Sequence, residues 1–148
     1  MIIKDNNKTF EFTPVSYEFP GLTKDHNKYD EWDSNWLTLR FSYSDGQGLS
    51  GSENDSCLLT YEMTDFIKVL KRLADGQADS AELDTMEPYF KIRAAKNQNG
   101  YRIDFLFYYF IEEREDIEPF EVTAFYGCEE LKRFIEELEA EFKPFPKR

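Results

Sequence analysis

The 148 residues fit a single domain, residues 1–148, and the net charge of −12 at pH 7 excludes nucleic acids and anionic membranes as expected partners, because like charges repel. A hydrophobic content of 41%, with 17% aromatic residues, is sufficient for a folded core and argues against disorder. The chain has no signal-peptide pattern and no apolar run of the roughly 18 residues that a membrane-spanning helix needs, so we expect a cytoplasmic protein.

The negative charge is concentrated in residues 111–141. This segment holds 12 acidic and three basic residues, a net charge of −9, which leaves −3 for the rest of the chain. Such a field would speed the encounter with a basic partner. The two cysteines, Cys57 and Cys128, form neither a CxxC pair nor a disulfide framework, and we expect both to be buried free thiols in a reducing compartment.

The first half of the chain alternates apolar and polar residues at the two-residue period of β-strands. We predict two short strands within residues 2–19, with an edge or a bulge at Pro14, and a turn-rich polar stretch over residues 20–34. A further strand is predicted over residues 35–43, and Asp45-Gly46 predicts a hairpin turn into a return strand at residues 49–53. One face of the 35–43 strand is apolar: Leu37, Leu39, Phe41 and Tyr43.

Two segments instead repeat apolar residues at the spacing of an amphipathic helix. The first is predicted over residues 61–74, with Thr60 as N-cap and Gly76 as the stop, after a short apolar run at residues 57–59. The second is predicted over residues 128–142 and is ended by two prolines. The expected buried stripes are Met63, Phe66, Ile67, Leu70 and Leu73 in the first helix, and Leu131, Phe134, Ile135, Leu138 and Phe142 in the second.

Between these helices we predict strands at residues 82–85, 89–95, 101–111 and 120–126, with a hairpin turn at Asn99-Gly100. The 101–111 strand organises the fold, because every odd position in it is apolar. The even positions begin polar at Arg102 and Asp104 and then become apolar, which predicts a strand that runs under a covering layer. The pattern as a whole predicts an α+β fold, a predominantly antiparallel β-sheet with two amphipathic helices packed on it.

The residues that carry catalytic chemistry are sparse. The single histidine, His26, lies in the turn-rich stretch, and no set of His, Cys and carboxylate residues has the spacing of a metal site, so we expect neither an enzyme nor a cofactor. The carboxylates in residues 112–121 keep one alternative open, a small-ligand or divalent-metal-dependent enzyme.

Three groups of residues are better suited to binding a protein partner. One surrounds Trp32, which either packs under the neighbouring strand or anchors a partner, and the other two are acidic segments. The candidates are Asp30, Glu31, Trp32 and Asp33; Glu112, Glu113 and Glu115; and Glu136 and Glu137. Glu139 and Glu141 lie in the last turn of the second helix, where the helix dipole disfavours negative charge, and this is a further hint of binding.

Several stretches in succession resemble the WapI-type immunity proteins of bacterial polymorphic toxin systems. They are Asp33-Ser34-Asn35-Trp36-Leu37 at the start of a strand, residues 55–62 (DSCLLTYE) running into a helix, and Met86-Glu87-Pro88-Tyr89-Phe90 after a loop. The long aromatic strand that ends in acidic residues and Pro119 completes the pattern. The resemblance implies a stoichiometric inhibitor that binds a cognate C-terminal toxin domain without turnover, and many such toxins are nucleases with basic grooves. The signature residues Trp36 and Glu87-Pro88 have either a structural or a functional role, and the oligomeric state stays open.

Overall fold

Antiparallel strands form two four-stranded sheets in the computed structural model, which describes residues 1–22, 33–108 and 119–148. The first sheet contains, in spatial order, β1 (Ile2–Asp5), β2 (Lys8–Tyr17), β3 (Trp36–Ser44) and β4 (Ser50–Leu59). The second contains β5 (Ser80–Asp84), β6 (Phe90–Asn97), β7 (Gly100–Phe107) and β8 (Phe120–Tyr126). Helix α1 (Thr60–Ala74) connects the sheets, and α2 (Cys128–Phe142) follows β8. The predicted α+β class is confirmed.

Aromatic rings fill the space between the two sheets. The ring centroid of Phe105 on β7 lies 4.5 Å from that of Phe10 and 5.3 Å from that of Phe12, both on β2. Phe90 on β6 stacks on Phe105 at 6.0 Å, and all four side chains are fully buried. Strand alternation sends every second side chain inward, so two facing sheets bury a continuous apolar layer. The buried side chains of both sheets and both helices form one core cluster.

The central strand follows the predicted alternation but is shorter than predicted. Tyr101, Ile103, Phe105 and Phe107 are buried on its inner face, while the outer face begins with exposed Arg102 and becomes half-buried by its end. The strand ends at Phe107, not at residue 111, and residues 109–111 lie outside the described part of the chain.

Two strands lie within residues 2–19, as predicted, but the second of them, β2, is ten residues long. It runs unbroken through Pro14, with the predicted bulge between Pro14 and Ser16, while β1 occupies the start of the chain. A bulge adds one residue to one strand and therefore reverses the alternation. Before the bulge the even positions are buried and Val15 is 43% exposed, whereas after it Ser16 is exposed and Tyr17 is buried.

Strand β4 extends well past the predicted end at residue 53. It includes the apolar run at residues 57–59, which pairs with the start of β3. The β3–β4 turn is a loop of residues 45–49, in which the Asp45 carboxylate accepts the amides of Gln47 and Leu49 at 2.8 and 2.9 Å. In the second sheet, Gly100 begins β7, with φ +149°, and a Cβ there would lie 2.3 Å from the Tyr126 carbonyl oxygen. The turn residues are therefore 98–99, one position before the predicted pair.

Both helices bury the predicted stripes, and none in the described ranges is long and apolar enough to cross a bilayer. The prediction of Thr60 as the N-cap of α1 was wrong. Leu59 occupies that position, and its amide donates to the Glu62 carboxylate at 2.7 Å. Gly76 has a φ of +76°, and its amide donates to the Leu73 carbonyl, which confirms the predicted stop. The prediction that Cys128 is buried was also wrong, since it is exposed at the start of α2; Cys57 is buried, and both thiols are free.

The outer face of the second sheet carries alternating charges. Ion pairs within or between its strands include Glu82–Arg93 at 3.1 Å, Asp84–Lys91 at 2.8 Å and Arg102–Asp104 at 2.7 Å. The outer face of the first sheet carries mainly serine and threonine, such as Thr38 and Ser56, whose hydroxyl groups are 2.9 Å apart. Polar outer faces with apolar inner faces are the arrangement that a two-sheet core requires.

Candidate partner-binding surface

The structure describes three of the nine predicted binding residues: Asp33, Glu136 and Glu137. The six others lie outside the described ranges: Asp30, Glu31, Trp32, Glu112, Glu113 and Glu115. Asp33 precedes β3, whereas Glu136 and Glu137 are on α2, and all three are exposed. The structure therefore places Asp33 on a different element from Glu136 and Glu137.

Glu18 lies near two carboxylates that are distant from it in sequence, Asp33 and Asp55. Glu18 follows β2, and its amide donates to the Trp36 carbonyl at 2.9 Å, while Asp55 is on β4. Partial desolvation of the Glu18 carboxyl, followed by the negative charges of Asp33 and Asp55, raises its pKa above the usual value. Asp33 and Asp55 therefore repel the charged form of the Glu18 carboxyl, and a cation from a partner would relieve that repulsion. Sequence analysis missed Glu18 and Asp55, because only strand pairing brings them to Asp33.

Asn35, which precedes the signature residue Trp36, has a structural role. Asn35 is fully buried, and its side-chain oxygen accepts the Thr60 hydroxyl at 2.7 Å and the Arg148 amide at 2.9 Å. The Asn35 carbonyl also accepts the Thr60 amide at 3.1 Å. These bonds join the start of β3, the start of α1 and the last residues of the chain. A buried amide with satisfied partners fixes the relative position of the elements that it connects.

Two other signature stretches meet at one carboxylate. Glu62 accepts the amide of Leu59 through one oxygen and the amide of Met86 through the other, at 2.7 and 2.8 Å. Burial is the main reason that the pKa of Glu62 is raised, and the two amide bonds act against it. The backbone carbonyl of Glu87 accepts the Thr85 hydroxyl, whereas the Glu87 side chain is exposed. Glu62 therefore ties the N-terminus of α1 to the loop before β6.

The acidic residues of α2 divide into those with partners inside the protein and those facing outward. Glu129 pairs with Lys132, Glu139 with Lys71 on α1, and Glu141 with the Met1 ammonium group. The interpretation of Glu139 and Glu141 as a hint of binding therefore loses its support, because positive groups from other elements balance their charge at the helix end.

Glu136 and Glu137 form no ion pair with any residue that the structure describes. Glu137 lies near the half-buried phenol of Tyr126. Desolvation raises the pKa of that phenol first, and the charges of Glu137 and Glu130 raise it further. Outward carboxylates on a rigid helix are available to a basic partner.

Of the carboxylates in residues 112–121 that were considered for metal or acid–base chemistry, the structure describes only Glu121, because residues 112–118 lie outside the described part. Glu121 is on the outer face of β8, 3.8 Å from the Arg102 guanidinium, and its carbonyl accepts the Lys8 ammonium group at 3.1 Å. No group of three or more His, Cys, Asp or Glu residues suited to a metal ion occurs within residues 1–22, 33–108 and 119–148.

Comparison with protein families matches residues 1–146 to the Immunity protein WapI-like family. Searches of the curated proteins and of the solved structures gave no significant match. The match covers nearly the whole chain, including both sheets and both helices. Asn35 and Glu62 belong to the stretches that resemble this family, and their hydrogen bonds give these stretches a structural role. The chain belongs to the WapI-like immunity protein family.

Proposed function

We propose that this protein neutralises a cognate toxin domain by stoichiometric binding in the cytoplasm and directs acidic surfaces at a basic groove of the toxin. Family membership implies the toxin-neutralising role, and proteins of this family are typically not enzymes. The observation that carries the electrostatic part is the outward position of Glu136 and Glu137 on α2, in a chain with net charge −12.

A nuclease is the toxin class that best fits such a surface. Nucleases hold a polyanion in a basic groove, and a carboxylate surface can occupy the same groove as a competitor. The carboxylates of Glu18, Asp33 and Asp55 provide a second acidic region at the end of the first sheet. Summed over the protein, the negative charges would steer the basic toxin domain and raise its association rate.

Charge reversal tests the electrostatic part. Glu136→Lys with Glu137→Lys changes the net charge from −12 to about −8 and should slow association about tenfold at low salt. The melting temperature should stay unchanged, because both side chains are exposed and lie off the buried stripe of α2. A matched control, Glu11→Lys with Asp75→Lys, makes the same change of net charge at exposed positions elsewhere.

The measurement is surface binding kinetics with the cognate toxin domain. Wild-type association should fall steeply between low salt and about 0.5 M, where the Debye length is below about 5 Å. The α2 variant should be slower and less salt-sensitive than the control. Salt-independent association, with equal rates for both double variants, would contradict the proposed role of the acidic surface.

A further inference from the structure

Strand β4 presents the longest unpaired sheet edge in the described part of the chain. The two sheets have four edges, formed by β1, β4, β5 and β8. Strands β1 and β8 lie side by side, and the five-residue β5 packs against α1. The ten-residue β4 pairs only with β3, and no loop residue in the described ranges forms a backbone hydrogen bond with residues 50–56. The amide and carbonyl groups on its outer side are therefore available to another strand.

The inner face of β4 carries acidic residues where the neighbouring strand carries apolar ones. Glu53 lies opposite the buried Phe41 of β3, and Asp55 lies opposite the buried Leu39. Residues directly opposite each other in an antiparallel pair share a face, so both carboxylates belong to the inner side of the sheet, about 7 Å apart along the strand. Both residues are half-buried. Charged residues that point inward on an edge strand oppose indiscriminate pairing with other strands.

No positive group among the described residues balances these two carboxylates. Strands β3 and β4 contain one basic residue, Arg40, which is exposed on the outer face opposite Asn54. Neither Glu53 nor Asp55 forms an ion pair within the described ranges. One oxygen of Glu53 is 3.5 Å from the Tyr43 hydroxyl, at the long limit of a hydrogen bond, and the other is buried without a hydrogen-bond partner. A buried carboxylate oxygen costs free energy unless a donor binds it.

This arrangement selects among the strands that could pair with the edge. A second copy of the chain, paired antiparallel about Asn54, would place Glu53 opposite Asp55, and its net charge of −12 would add to the repulsion. An apolar strand would leave both carboxylates buried and unpaired. A strand with lysine or arginine at two alternate positions would pair with both of them. The small outer residues Ser52 and Ser56 leave room for the remaining side chains of such a strand.

We propose that the outer edge of β4 receives an extended segment of the toxin domain as a fifth strand of the first sheet, with basic side chains of that segment opposite Glu53 and Asp55. The inference rests on the proposed function and assigns its contact surface. Backbone hydrogen bonds to residues 50–56 supply the affinity in this mode of binding, and the side chains at alternate positions supply the specificity. The two carboxylates therefore set the preference for lysine or arginine.

Hydrogen exchange with the cognate toxin domain tests the strand addition directly. In the free protein, the outward amides of residues 50–56 should exchange rapidly because no described strand covers them, and complex formation should slow their exchange at least tenfold. The amides of β5, at an edge of the other sheet, are the matched control and should not change. Unaltered exchange at residues 50–56 in a complex that forms would overturn the proposal. Protection there that rises with protein concentration without toxin would assign the edge to a second copy and overturn it as well.

Neutral variants test the role of the two carboxylates. Glu53→Gln with Asp55→Asn keeps the side-chain size and should raise the rate of dissociation from the toxin domain at least tenfold, because partly buried charge pairs act on dissociation. Glu11→Gln with Asp75→Asn makes the same change of net charge at exposed positions outside β4, and its dissociation rate should stay within about twofold of the wild-type rate. Melting curves establish that both double variants are folded. Equal dissociation rates for the two would overturn the proposed contacts of Glu53 and Asp55.

The outcomes separate this surface from the proposed function. Wild-type binding and inhibition, with neither protection at residues 50–56 nor faster dissociation of the β4 variant, would overturn the strand addition and leave the proposed function standing. Absence of wild-type binding would overturn both. The exchange measurement uses the wild-type protein, so it decides the question even if the β4 variant does not fold.

Discussion

Truncating Phe105 should remove a large part of the stability of the domain, whereas truncating Phe125 should not. Both residues are phenylalanines in neighbouring strands of the second sheet, but Phe105 is fully buried and Phe125 is 68% exposed. The substitution Phe105→Ala removes a ring that contacts Phe10, Phe12 and Phe90 at centroid distances of 4.5 to 6.0 Å.

The expected cost of Phe105→Ala is about 3–5 kcal/mol, which includes the lost transfer free energy and the cavity that remains. Because Phe105 lies between two sheets, the cavity left by its removal cannot collapse fully, so we expect a free-energy cost in the upper part of that range. Domains are stable by about 5–15 kcal/mol in total, so the variant loses a substantial fraction of its stability. Phe107, fully enclosed on the same strand face, should behave similarly when truncated. Phe125→Ala should change the free energy of unfolding by less than about 0.5 kcal/mol.

Urea unfolding followed by circular dichroism measures this difference. With a slope of about 2 kcal/mol per molar urea, the midpoint of Phe105→Ala should fall by about 1.5–2.5 M. Phe105→Leu serves as a further control, because it keeps most of the apolar volume and should cost less. A loss below about 1 kcal/mol for Phe105→Ala would refute the conclusion that β7 organises the core.

Two further predictions concern single buried side chains. Asn35→Ala should lower the free energy of unfolding in urea by about 1–3 kcal/mol, because it leaves the buried Thr60 hydroxyl without its acceptor. The same change at the exposed Asn54 should be nearly neutral. Equal effects of the two substitutions would contradict the structural role of Asn35. Only Cys128 should react rapidly with a thiol reagent such as Ellman's, because burial, reinforced by nearby carboxylates, raises the pKa of the Cys57 thiol far above its usual value. Two equally fast thiols per molecule would show that the core around Cys57 opens readily.

Sequence patterns predicted the elements of this fold because each pattern reflects local geometry. The alternation over Tyr101–Phe107 and the helical spacing over residues 128–142 place apolar groups on one face whatever the partner, so strands and helices followed from periodicity. The prediction of the N-cap of α1 failed because the predicted capping side chain forms a tertiary hydrogen bond instead. Thr60 has the residue type of an N-cap, but its hydroxyl donates to Asn35, and the Glu62 carboxylate caps the helix instead.

Only the tertiary structure decided how distant residues meet. Strand pairing brings Glu18 and Asp55 to Asp33, and the ion pairs of Glu139 with Lys71 and of Glu141 with Met1 remove charges that sequence analysis assigned to a partner. The same alternation that buries Val122 and Ala124 turns Phe125 outward, but its 68% exposure follows from the absence of a covering element among the described residues. The sequence therefore determined the elements, their buried faces and the family, since these depend on neighbouring residues. The tertiary structure decided which carboxylates and rings remain exposed at the surface, since this depends on residues far apart in the chain.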